Sequence, residues 1–263
     1  MKKMMLWISI ALLLAACGNN DQSESHQTPD QDKSAETEQS NEENQDAKTE
    51  TLDESKEPTR EEQLGPELVL ASEDPDNIHI LVNKVHFLPE EYVPADLVVP
   101  NVPFSFEKIV DKRKMRKEAA TALETLFQAS EQAGIDLVAA SGYRSYERQA
   151  TIYQSNVEAN GKEHADKFSA QPGSSEHQSG LAMDVTSAEV AFALEQTFEQ
   201  TNEGTWLAEN AHKFGFVIRY PEGKEEITGY SYEPWHIRYV GKEMAEEIFN
   251  RGITLEEYYE LQQ

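Results

Sequence analysis

One stretch constrains the chain more than any other: Ser174-Ser175-Glu176-His177-Gln178-Ser179-Gly180-Leu181-Ala182-Met183-Asp184. It sets a histidine and a carboxylate among small residues and a glycine. Both side chains carry groups that zinc accepts, and Gly180 permits the backbone to turn back between them. Gly180 to Thr186 reads as a central strand with Asp184 on one face. A carboxylate in an apolar strand needs a partner or a metal. Alone, the pair is accounted for by a loop and a buried strand, with His177 and Asp184 hydrogen-bonded for structural reasons. A metal requires a third ligand from elsewhere, and His236 in Glu233-Pro234-Trp235-His236 is the best candidate.

The rest of the chain decides between these readings. Its 263 residues suit one medium domain with accessory segments, and its net charge of −26 argues against nucleic acid, which attracts basic surfaces. Residues 1–17 read as an export signal: Lys2 and Lys3 precede the short apolar run Met4 to Leu14, which ends in Leu14-Ala15-Ala16-Cys17. This resembles a bacterial lipoprotein signal, which implies lipidation of Cys17 and a lipid-anchored protein on the extracytoplasmic face of the cell membrane. Cys17 is the only cysteine, so no intrachain disulfide forms. Residues 18–64 are rich in Asp, Glu, Gln, Ser, Thr and Asn and read as a disordered acidic tether. A flexible chain of this length reaches roughly 35–40 Å.

Residues 65–263 read as the folded domain. Ile78 to Val82 alternates like a strand, and an irregular arm with Pro94, Leu97-Val98-Val99 and Pro100 follows. Lys112 to Gln132 is expected to be a helix, with Met115, Ala119, Ala122, Leu123 and Leu126 on one face and Gly134 just past its end. Ile135 to Ala140 reads as a buried strand running into Ser141-Gly142-Tyr143-Arg144-Ser145, with Ser145 capping the next helix and Gly161 ending it. Ala188 to Phe198 and Gly204 to Phe214 are expected helices. Phe216 to Arg219 and Tyr232 to Tyr239 are expected strands, and Lys242 to Asn250 a helix. His79, His86 and His212 are assigned to structure.

Two histidines and one carboxylate make a three-ligand zinc site with a position left for water. Glu233, three residues before His236, is near enough to act as general base without ligating the metal. Arg144 suits a substrate carboxylate or a developing oxyanion as well as it suits a surface ion pair. Together these parts describe metal-assisted hydrolysis of an amide.

The motifs Ser175-x-His177-x-x-Gly180-x-Ala182-x-Asp184 and Glu233-x-x-His236, with Ser141-Gly142-Tyr143-Arg144-Ser145, resemble those of the VanY-type D-alanyl-D-alanine carboxypeptidases. These belong to a zinc peptidase superfamily that also holds D,D-dipeptidases and the hedgehog-like fold. The resemblance spans roughly Leu81 to Gly252 and implies an α+β fold: an antiparallel sheet with flanking helices and one Zn2+ in a cleft. It implies His177, Asp184 and His236 as ligands, Glu233 as base and Arg144 on substrate or oxyanion. Ser175, Gln149 and Tyr143 are implied on the substrate side. The implied activity is release of the C-terminal D-alanine from peptidoglycan stem peptides, with D,D-specificity favoured and an L,D-carboxypeptidase acting on the tetrapeptide as the alternative. A non-catalytic cell-wall binding lipoprotein is the alternative of another class, and the intact Glu233 argues against it.

Overall fold

The structure is a computed structural model, and it describes residues 66–263. The signal segment, Cys17 and the acidic tether lie outside the described residues.

The chain enters through two short strands, β1 (Val69–Leu70) and β2 (Ile80–Leu81), which pair in parallel. A third, β3 (Leu97–Val98), pairs antiparallel with β4 (Met115–Arg116). Helix α1 (Lys117–Gln132) starts only after β4, five residues later than the apolar periodicity predicts. Residues Asp111–Arg113 form a 3-10 turn, and Met115 and Arg116 are held extended by Leu97–Val98 and by Arg116 N donating to Gly180 O at 2.8 Å. From Lys117 onward a helical stripe takes over: Ala119, Leu123 and Leu126 are buried as expected, Ala120 and Phe127 join them, and Ala122 is half-buried.

Strand β5 (Val138–Ser141) leads to α2 (Tyr146–Asn160), whose N-cap Ser145 accepts from Arg148 N as the sequence predicts. Gly161 closes α2 and opens the short α3 (Lys162–Phe168). Glu176–Ser179 form a 3-10 turn that Gly180 ends at φ +69° before β6 (Ala182–Thr186). A Cβ at Gly180 would lie 2.9 Å from Leu97 Cδ2, so space and conformation both demand glycine there.

The helix expected over Ala188–Phe198 does not form. The segment is two 3-10 pieces, Ala188–Val190 and Gln196–Gln200, joined through Ala191 and Phe192 at positive φ. Thr186 Oγ1 donates to Ala193 O at 2.7 Å and Phe192 N to Ser187 O at 3.0 Å, so the end of β6 captures backbone groups that a helix would need. The helix expected over Gly204–Phe214 divides into α4 (Asn202–Asn210) and a 3-10 turn at Ala211–Phe214. Then follow β7 (Phe216–Tyr220), the single-turn α5 (Glu225–Thr228), β8 (Glu233–Tyr239), α6 (Lys242–Arg251) and α7 (Leu255–Leu261).

The central sheet has the order β5-β6-β8-β7 and is antiparallel throughout. One core joins α1 to the sheet through Leu123, Leu126, Ala139, Met183, Val185 and Ile237. A second lies among Val217, Val240, Met244, Ile248, Leu255 and Tyr258. The result is the α+β class with an antiparallel sheet and helices that the motifs implied.

Candidate active site

The register of the sheet builds the centre. Asp184 on β6 pairs directly with His236 on β8, so their side chains leave the same face of neighbouring strands. Asp184 Oδ1 stands 3.0 Å from His236 Nδ1. His177 comes from the 3-10 turn before β6, and its Nε2 stands 3.4 Å from Asp184 Oδ2. The three residues are buried, and one ligand atom from each lies within 4.8 Å of the others. This is the one such group among the described residues. Zinc bonds of about 2.0–2.1 Å at the tetrahedral angle separate adjacent ligand atoms by roughly 3.3 Å. Each histidine nitrogen stands near that distance from one oxygen of Asp184, His236 Nδ1 at 3.0 Å from Oδ1 and His177 Nε2 at 3.4 Å from Oδ2, so the carboxylate faces both imidazoles.

Both imidazoles are oriented by what lies behind them. His177 Nδ1 is 2.9 Å from Gly142 O, a carbonyl that only accepts, so the proton sits there and Nε2 is presented to the centre. His236 Nε2 is 3.3 Å from Glu176 Oε2, which leaves Nδ1 facing Asp184. The two rings meet edge to face with centroids 4.9 Å apart. The donor set is two nitrogens and one carboxylate with the outer nitrogens already engaged, and it fits a zinc ion with a fourth position open.

Electrostatics separate the roles further. Burial, aided by the Arg144 charge and opposed by Asp184, pushes His177 down to about 3, so it is a neutral ligand and not an ion-pair partner of Asp184. Burial lowers His236 as well, but its hydrogen bonds to Asp184 and Glu176 outweigh this and raise it to about 9. Burial raises Asp184, yet the facing histidines and Arg144 hold it below the usual carboxylate range. Glu233, at the start of β8, has its Oε2 3.8 Å from His236 Nδ1. Desolvation, reinforced by the Asp184 and Glu176 charges against the pull of His236 and Arg144, pushes its carboxyl up to about 7. A carboxyl beside the ligands that titrates near neutrality suits a general base.

These residues line a cavity of about 210 Å³ with Arg144, Gln149, Ser169, Ala170, Ser175, Leu194, Tyr220, Tyr230 and Trp235. Arg144 follows β5, and its backbone N donates to His177 O at 3.1 Å. Its Nη1 donates to Gln149 Oε1 at 2.8 Å, and Gln149 Nε2 donates to Ala170 O at 2.6 Å, so the guanidinium is anchored from α2 and the loop after α3. Burial lowers its pKa while Asp184 and Glu233 oppose that.

The structure therefore brings His177, Asp184, His236, Glu233, Arg144, Gln149 and Ser175 to one cavity. It does not bring Tyr143 there: that side chain is buried, faces the charges of Asp111 and Glu147, and is absent from the cavity wall. His212 stacks on Phe249 at 3.6 Å, a structural role as the sequence reading has it. Sequence reasoning missed Glu176, Tyr220, Tyr230, Trp235 and Leu194. Glu176 and Trp235 carried a signal, by standing next to His177 and His236.

Residues 112–242 match the VanY family, described as D-alanyl-D-alanine carboxypeptidase. The chain is 52% identical to the carboxypeptidase-named YodJ of Bacillus subtilis (strain 168) over 188 residues, 72% of this chain and 69% of the relative. The chain belongs to the VanY family of carboxypeptidases. Among solved structures it is similar to the LdcB LD-carboxypeptidase, a structure concerned with peptidoglycan recognition. The identity is 52% and the TM-score 0.70, covering 72% of this chain and 88% of that one. It is also similar to a mutant of the vancomycin-resistance D,D-pentapeptidase VanY from a VanB-type cassette, in complex with Zn(II). There the identity is 37% and the TM-score 0.55, covering 68% of this chain and 97% of that one. Both share the mixed α+β fold. The chain is thus a zinc-dependent enzyme of this family, with His177, Asp184 and His236 as the ligand set.

Proposed function

We propose that the protein is an L,D-carboxypeptidase that releases the C-terminal D-alanine of peptidoglycan tetrapeptide stems. The observation that carries the specificity is the likeness to LdcB, an LD-carboxypeptidase, at 52% identity and a TM-score of 0.70. The D,D-pentapeptidase VanY stands at 37% and 0.55. This reverses the order of the two specificities expected from the family resemblance.

The side chains support the following course. The zinc ion, when bound, polarises the scissile carbonyl and makes water more acidic. Arg144, fixed through Gln149, holds the carboxylate of the terminal D-alanine or the oxyanion that develops on the carbonyl. Ser175, Tyr220, Tyr230 and Trp235 shape the cavity around the peptide. Glu233 takes a proton from the attacking water as its oxygen bonds to the carbonyl carbon. The C–N bond then breaks, and Glu233 returns the proton to the departing amine of D-alanine.

The protein also acts as a lipoprotein, exported and held to the outer face of the membrane through Cys17. The Lys2-Lys3 start, the apolar run to Leu14 and the lone cysteine after Ala15-Ala16 support this. A Cys17→Ala variant that stays in the membrane fraction as firmly as wild type would count against it.

The specificity is tested by comparing kcat/KM for D-alanine release from tetrapeptide and pentapeptide stems with the zinc-loaded protein. A preference for the tetrapeptide of tenfold or more supports the reading, and a preference for the pentapeptide returns it to D,D.

A further inference from the structure

Behind the metal ligands lies a group of charges that the hydrolysis does not use. Glu176 is fully enclosed, and its Oε1 accepts from both Arg219 Nε and Arg238 Nη1 at 2.7 Å each. Its Oε2 faces His236 Nε2. Arg219 and Arg238 are themselves buried on β7 and β8. Arg219 forks onto Glu256 of α7, with Nη1 to Oε2 at 2.9 Å and Nη2 to Oε1 at 2.6 Å. Arg238 uses its other arm on Ile78 O and Ile80 O at 3.2 and 2.9 Å. Asn83 Nδ2 donates to Glu256 Oε1 at 3.1 Å, so residues around β2 close the network.

We propose that this network makes Glu176 and Glu256 positioning residues for the metal centre, with α7 and the residues around β2 holding His236 so that Nδ1 faces the ion. The inference rests on the zinc-site reading above. A carboxylate oxygen only accepts, so Oε2 of Glu176 requires the proton of His236 on Nε2 and keeps Nδ1 as the ligand atom. The two guanidiniums fix which way that carboxylate faces. Glu256 holds Arg219 in turn by a two-point contact, which fixes the guanidinium plane as well as its position. Removing one member of a buried charged group leaves the others uncompensated, so the effect of Glu256 travels to His236 without any contact between them.

Glu176→Gln makes the test sharp. Its amide oxygen must face the two arginines, because an NH2 group there would oppose two donors. The NH2 then faces His236 Nε2 and pushes the ring proton to Nδ1, the position the metal takes.

The experiment measures zinc affinity by competition with a chromophoric chelator in wild type, Glu176→Gln, Glu256→Gln and Tyr258→Phe. Two-bond 15N–1H spectra of the chelated proteins, recorded above about pH 9 where the His236 ring is neutral, report its tautomer in each variant. Tyr258→Phe controls for damage to α7, because that hydroxyl bonds to Pro66 O and lies outside the network. The expected result is zinc binding weaker by about 10–100-fold in Glu176→Gln, with the His236 proton moved to Nδ1. Glu256→Gln is expected to weaken zinc by roughly 3–10-fold, and Tyr258→Phe to keep wild-type affinity. Folded Glu176→Gln with wild-type affinity and tautomer overturns the proposal. Where Glu176→Gln does not fold, folded Glu256→Gln with wild-type affinity overturns it instead. Wild type that fails to bind zinc at all overturns the underlying site and not the network.

Discussion

Asp184 and His236 stand directly opposite each other on adjacent antiparallel strands, and the pairing brings Asp184 Oδ1 to 3.0 Å from His236 Nδ1. The spacing of these two ligands is therefore a property of the sheet, while His177 joins them from the 3-10 turn before β6. A slip of one residue between β6 and β8 would send one of the two side chains to the opposite face. Placing ligands on paired central strands gives positional precision that loops rarely supply.

Glu233 should be separable from metal binding. Glu233→Gln is expected to keep zinc affinity within a few-fold of wild type while kcat falls by about 10²–10⁴, the usual contribution of a positioned base. Chelator competition and D-alanine release, measured on the same preparation, check both halves.

The acid limb of the pH profile follows from the same carboxyl. Burial raises Glu233 to about 7, and a bound dication favours its ionised form, so the limb in kcat/KM should lie at or below about pH 7. In chelated protein the sign for stability is opposite to that of an ordinary surface carboxylate. Glu233 has a folded pKa above its ordinary 4.5, so it binds its proton more tightly when folded. Its contribution is fully present below about pH 4.5 and is lost as pH rises through about 7. Glu233→Gln should therefore be more stable than wild type by roughly 1–3 kcal/mol above neutrality, with partial solvent access reducing the full value, and equal to it near pH 4. Denaturant titrations of both proteins at the two pH values measure the difference.

Zinc binding should release protons in a pH-dependent number. His236 is raised to about 9 and must give up its Nδ1 proton to the ion, whereas His177, at about 3, has none to give. Near pH 8 the release should be about one proton per zinc, and near pH 6, where Glu233 is protonated as well, about two. Calorimetric titrations in buffers of different ionisation enthalpy give this count directly.

Gly142 has no room for a side chain. A Cβ there would meet Lys114 O at 2.4 Å and Met183 Cε at 2.9 Å, and its own carbonyl orients His177. Gly142→Ala should cost about 2–3 kcal/mol of stability and weaken zinc by displacing that carbonyl. Thermal unfolding and zinc competition together distinguish this double effect from simple destabilisation.

Much of the centre was legible in the sequence because its parts sit at short, fixed spacings. His177 and Asp184 flank one glycine turn, and Glu233 and His236 occupy one strand. Arg144 stands at the end of a recognisable buried strand. The ends of α2 were legible for a similar reason, since Ser145 and Gly161 are local signals. What was not legible depends on strand order. Nothing near Arg219 or Arg238 in sequence says that β7 and β8 carry them to the same carboxylate. The presence of two arginines in apolar strands was the available signal, because a buried guanidinium requires a partner. The late start of α1 and the loss of the helix after β6 have one cause. Backbone groups there are engaged by distant or local polar partners, which override the apolar periodicity.

A zinc ion held by His177, Asp184 and His236 is proposed to serve the cleavage of a C-terminal D-alanine. The most direct measurement is D-alanine release from tetrapeptide stems by the purified protein before chelation, after chelation and after zinc is restored. Release is expected to be lost on chelation, regained with one equivalent of zinc, and absent in a His236→Ala variant under all three conditions. Release that persists undiminished through chelation would contradict it.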